Sequence, residues 1–154
     1  MALVSARFFS LLLTAVAAGV VLGHVMSRTG KITLSAPLFV TVQNTLYRSW
    51  GKKLGAVEIG AFLSTLVVTF LVRGSGAIFA LSLAGLFCLV GMLVVWAVFI
   101  NPINIRVRAS TSESFPADWA LLRDRWHRLH AIRPIFAVAG LSTLISAVLL
   151  DCSR

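Results

Sequence analysis

Four long apolar runs, separated by segments of very different polarity, organise the chain. The first covers about 8–27 and holds roughly the 20 apolar residues that a helix needs to cross a bilayer. The others cover about 57–72, 77–103 and 134–150. The turn Arg73-Gly74-Ser75-Gly76 joins the second and third. Arg7 and the Ala-Val-Ala stretch also fit a secretory signal, but the run stays apolar beyond its small residues, so a retained span is expected.

Two connecting segments carry helical patterns of their own. In about 36–52, Ser35 can cap and Pro37 suits a first turn. Phe39, Val42, Leu46 and Trp50 then recur at helical spacing, with Gln43, Asn44 and Tyr47 between them and Arg48, Lys52 and Lys53 at the end. In about 116–133, Trp119, Leu122, Trp126, Leu129 and Arg133 form one stripe, His130 lies beside it, and Arg123, Arg125 and Arg128 fall elsewhere. Both segments read as helices lying at the membrane interface. Pro102 should disrupt the last turn of the third span, and Pro134 should kink the join into the fourth. The predicted fold is all-α: one domain, 1–154, an integral membrane four-helix bundle with two interfacial amphipathic helices.

Composition strengthens the membrane reading. The chain is 58% hydrophobic and 12% charged, too apolar for a soluble domain of 154 residues. Its net charge of +9 lies between the apolar runs and not on one soluble face, which favours lipid headgroups over nucleic acid. Cys88 and Cys152 form no redox or disulfide motif. With four spans, Arg7, Arg73 and Arg154 share one side, and the other eleven of the 14 Lys and Arg residues share the opposite side. The positive-inside rule then predicts a plasma or inner membrane protein with both long loops cytoplasmic and both termini outside.

In that orientation the polar residues near the span ends converge. His24 ends the first span, Glu58 starts the second, Asn101 and Asn104 follow the third, and His130 and Arg133 open the fourth. No comparable group is expected at the outer ends. The convergence predicts a polar pocket at the cytoplasmic mouth, lined by Trp96, Trp126 and Tyr47. Three chemistries fit. His24, Glu58 and His130 are an acceptable ligand set for a metal ion, although no paired metal motif is present. A Glu or His can instead serve as a general base. Or Glu58 and Arg133 form a structural ion pair, with His24 and His130 as packed neutral donors.

The order of these residues resembles the anthrone oxygenase-like family, small four-span membrane proteins largely classed as a domain of unknown function. The similarity covers most of the chain. It lies in the His24 end of the first span, the VQNTLYRSWG stretch, the WAVFINPIN exit and PADWALLRDRWHRLHAIR. Asn104 fits the family's Asn after the third span, Trp126 its tryptophan, and His130 with Arg133 its motif opening the fourth. Similar bacterial sequences also carry a His where His24 stands. The resemblance implies oxidation of an anthrone to an anthraquinone by O₂ without metal or flavin. Catalytic candidates are then His24, Glu58 and His130, and substrate-binding candidates are Trp96, Asn101, Asn104, Trp126, Arg133 and Tyr47. The expected substrate is a lipophilic aromatic or quinone-like molecule, and the expected partners are membrane lipid and a further copy or a larger membrane complex. The alternative is a non-enzymatic membrane protein, a binder of lipid or quinone or an accessory subunit. A transporter ranks third, because internal repeats and paired broken helices are missing.

Overall fold

The computed structural model describes residues 1–153; Arg154, counted above among the basic residues of the outer side, lies outside them. The described residues are helical almost throughout. Helix α1 is Ala2–Met26, followed by the short α2, Arg28–Lys31, and by α3, Ala36–Thr45. Helix α4 is Trp50–Leu71 and α5 is Ala77–Val94. A π-helical segment, Val95–Ile100, runs into α6, Asn101–Arg108, and α7 is Trp119–Cys152. Four stretches are long and apolar enough to cross a membrane: Ala2–Met26, Trp50–Leu71, Ala77–Arg108 and Trp119–Cys152.

Helix α1 packs on α4 and α7, and α5 packs on the same two, so the spans close a four-membered ring with α4 and α7 on opposite corners. The ring is polar and small inside and apolar outside. Ser10, Thr14, Thr65, Thr69 and Ser82 are buried, whereas Phe8, Phe9, Phe70, Phe87 and Ile135 are exposed. That distribution suits lipid, where an exposed apolar side chain costs nothing and small interior residues let helices approach. The central layer is Ala17, Ala18 and Val21 of α1, Ala61 of α4, Leu89 and Met92 of α5, and Ala137 of α7. Between α5 and α7, Gly140 faces Cys88, and a Cβ added at Gly85 would come within 2.8 Å of Leu144.

The helices run past the apolar runs that announce them. At 34 residues, α7 is about 51 Å long, against roughly 30 Å of hydrocarbon. It takes in the segment expected to lie at the interface and continues through Pro134 without interruption. Pro102 does not end the third span either. It sits in the first turn of α6, where its missing N–H matters least. Just before it, the Asn101 N–H reaches back five residues to the Trp96 carbonyl, a widened π turn. The helix expected over 36–52 stops at Thr45, and the chain turns before α4 starts at Trp50. Asn44 Nδ2 donates to the Ser110 carbonyl at 2.9 Å, pinning the end of α3 to the loop after α6. Helix α3 buries Ala36, Phe39, Val40 and Gln43, with Phe39 against Ile100, Ile103, Val107, Leu122 and Trp126.

The end of the bundle away from the basic loops is also polar, which corrects the expectation of an empty outer end. Arg7 belongs to α1, and its Nη1 donates to Asp151 Oδ2 at 2.7 Å. Ser10 and Thr65 share a buried hydrogen bond of 2.7 Å one turn further in. Hydroxyls within a span resemble ordinary helix residues in sequence, so only their shared depth reveals this layer.

Candidate functional site

The site lies at the basic end of the bundle, where His24 is the hub. It reaches that position because α1 stays helical to Met26, placing His24 in its last turn and buried. The His130 ring lies 4.4 Å from it and the Trp126 ring 5.3 Å, the latter edge-on at 88°. Tyr47 in the α3–α4 turn and Trp50 at the start of α4 close in at 5.3 and 5.8 Å. His130 and Trp126 are themselves 4.0 Å apart, centre to centre, as expected of residues one turn apart on α7.

Two further interactions fix the walls. Trp126 Nε1 donates to Asn104 Oδ1 at 2.9 Å, tying α7 to α6 and satisfying an indole that is 3% exposed. Arg133 Nη2 donates to Glu58 Oε1, a buried ion pair between the opposite corners α7 and α4. The cleft between these groups has about 550 Å³ of open space including its mouth. His24, Tyr47, Trp50, Trp96, Asn104, Trp126, His130 and Arg133 line it, together with Gln43, Gly51, Leu54, Val107 and Arg108.

Most of the residues expected at the site therefore meet, with two corrections. Glu58 does not line the cleft: its carboxylate is taken up by Arg133. This is the arrangement of the third alternative above, in which the two form an ion pair. Asn101 does not line it either, because it lies at the π turn while Asn104 faces Trp126. Among the described residues, no three His, Cys, Asp or Glu side chains gather as metal ligands, and His24, Glu58 and His130 do not form such a group.

Sequence reasoning passed over Lys31. It is buried, its Nζ lies 3.5 Å from His24 Nδ1, and it sits 4.5 Å from the centre of the Tyr47 ring. An ammonium only donates, so the Nδ1 that faces it is the lone-pair edge of His24, and the ring proton sits on Nε2. The signal was weak: a lysine seven residues past a histidine in an apparent loop. His127 was passed over as well. It is 2% exposed, both its ring nitrogens lack partners, and its ring lies 5.0 Å from that of Trp126.

An all-helical bundle of four membrane-crossing helices, with a histidine- and tryptophan-walled cleft at one end, defines the class of this protein. The family model described as anthrone oxygenase matches residues 44–143, about two thirds of the chain, and the chain belongs to that family. The matched stretch includes every lining residue except His24 and Gln43. No curated protein and no solved structure matches the chain.

Proposed function

We propose that this membrane protein oxidises a flat, lipophilic aromatic substrate of the anthrone type with O₂, with His130 as general base. The observation that carries the reading is the pair of adjoining imidazoles, His24 and His130, with ring centres 4.4 Å apart, inside a cleft walled by Trp126, Tyr47 and Trp50. Tryptophan and tyrosine faces suit a planar polycycle. His130 Nδ1 is buried without a hydrogen-bond partner, and Lys31 faces His24 Nδ1 at 3.5 Å, which favours the proton on the other His24 nitrogen.

In this reading His130 removes a proton from the acidic methylene of the substrate. Its carbonyl oxygen becomes an anion that the His24 N–H and the nearby Lys31 and Arg133 cations stabilise. The electron-rich carbanion passes one electron to O₂, and the resulting radical pair joins as a C–O bond. The peroxide takes the proton back from His130. It then loses water, with the second methylene hydrogen leaving as a proton and the O–O bond breaking. The CH₂ becomes C=O: one oxygen atom stays in the quinone and the other leaves in water. The substrate is the reductant, so the chemistry needs no cofactor. Glu58 holds Arg133 in place and is not the base.

The excess of Lys and Arg in the loops at the cleft end supports a cytoplasmic cleft and external termini, in a plasma or inner membrane. The test is oxygen uptake by the protein in lipid nanodiscs with a panel of anthrones and hydroquinones, with quinone formation followed by absorbance. Turnover is expected in the wild type and loss of it in His130→Ala and Trp126→Ala. No turnover across the panel, with a partner that copurifies stoichiometrically, would replace catalysis by the accessory-subunit reading.

A further inference from the structure

On the lipid-facing side of the bundle, an apolar groove of about 470 Å³ runs between α1 and α4. Val16 and Val20 of α1 and Val57 of α4 line it, and Trp50, Lys53 and Leu54 complete it. Trp50 and Leu54 also line the His24 cleft. The two spaces therefore share one wall, made of two side chains from the first turns of α4. Trp50 is 43% exposed, and its ring stands edge-on to His24 at 5.8 Å. Beside it Gly51 lies against Trp96: a Cβ there would be in ordinary contact with the indole at 3.7 Å.

We propose that this groove is a side entrance from the bilayer, through which a lipophilic aromatic substrate reaches His24, with Trp50 as the gate. The inference rests on the oxidation proposed above and adds the route. A planar aromatic molecule collects in the hydrocarbon, where the groove opens, and not in water, where the far side of the cleft presents Gln43, Asn104 and Arg108. The groove is apolar along its length, so the molecule slides from lipid to protein without being hydrated. Lys53 gives the entrance one positive charge, which attracts a phenolate or enolate oxygen and so leads with the edge that must meet His24 and His130. Trp50 yields by turning its own side chain, because it follows the α3–α4 turn and its ring lies on the groove rim. Water and O₂ keep the polar mouth.

The test uses Val16→Trp and Val20→Trp, separately and together, in nanodiscs. Both positions face the groove and neither lines the cleft. Phe87→Trp, on the lipid side of α5, is the control. A lipid-partitioned diazirine anthrone is mixed in and flashed at intervals, and adducts on the Trp126–His130 peptide are followed by mass spectrometry. Oxygen uptake is measured in parallel with a lipid-soluble and with a sulfonated, water-soluble anthrone. The expected result is a tenfold or greater drop in labelling rate and in kcat/KM for the lipid-soluble compounds in the double variant. The sulfonated compound and Phe87→Trp should stay near wild type. Labelling and uptake that persist unchanged in all three groove variants would overturn the entrance while leaving the oxidation intact. A wild-type cleft that is neither labelled nor active with any compound would overturn both. Trp50→Ala gives a second check, since removing the gate should quicken labelling even where turnover falls.

Discussion

Glu58 of α4 and Arg133 of α7 form an ion pair between opposite corners of the ring, and each side chain is only 1% exposed. Removing one partner of such a pair strands a buried charge, at a cost of about 3–5 kcal/mol. Glu58→Met is therefore expected to lower the unfolding midpoint in detergent sharply. Adding Arg133→Leu should recover much of the loss, because two apolar side chains leave nothing stranded. Loss of activity in Glu58→Gln at unchanged thermal stability would instead make the carboxylate a participant in chemistry.

The Trp126 indole and the Asn104 amide form the second tie. Trp126→Phe keeps most of the aromatic wall and removes one hydrogen bond, so about 1 kcal/mol of stability should go. Asn104→Ala should lose a similar amount, and the double variant less than the sum of the two. Strict additivity in that cycle would mean that the pair does not act as a unit.

Lys31→Met keeps the length of the side chain and removes its charge. If the ammonium orients His24 and steadies the substrate anion, kcat should fall by roughly one to two orders of magnitude, while Lys31→Arg retains part of it. Nitrogen NMR of labelled histidine should show the tautomer of His24 shifting in the same variant. An unchanged tautomer would remove Lys31 from the mechanism.

A reporter fused after the last residue should lie outside the cell, and one inserted near Ser112 in the cytoplasm. The opposite result for both would invert the proposed orientation and place the cleft on the external side.

Close packing of α5 on α7 gives a fold-level check. Gly85→Val would drive a side chain into Leu144, so it should cost about 1–3 kcal/mol and lower the yield of folded protein. Gly19→Val, which meets nothing within 4 Å, should behave like wild type.

The four spans were legible because hydropathy records only length and polarity, and the family motifs were legible as ordered words. His24, His130 and Trp126 could be placed together because they end or begin spans at one side. What the chain concealed was rotation. Lipid-facing and core-facing positions are both apolar, so the pattern could not show that Trp50 belongs to the second span and walls both the groove and the cleft. Nor could it show that Glu58 turns to Arg133 and away from the cleft. Arg7 read as a charge flanking the first span, and only the length of α1 and α7 brings it level with Asp151. Lys31 looked like a loop lysine.

The π segment, Val95–Ile100, also sets the rotational phase of the helix that follows it. Trp96 and Asn104 are eight positions apart, which an unbroken α-helix would place about 80° apart around its axis. One extra residue taken into the widened turn shifts the phase by about 100°, which brings the two back to nearly one side. Both do line the cleft. Deleting one residue from the widened turn would let it close to an ordinary α-turn with the two residues still nearly on one side, whereas the same deletion in the regular helix would swing everything after it by more than a quarter turn. At this place the number of residues carries information that their identity does not.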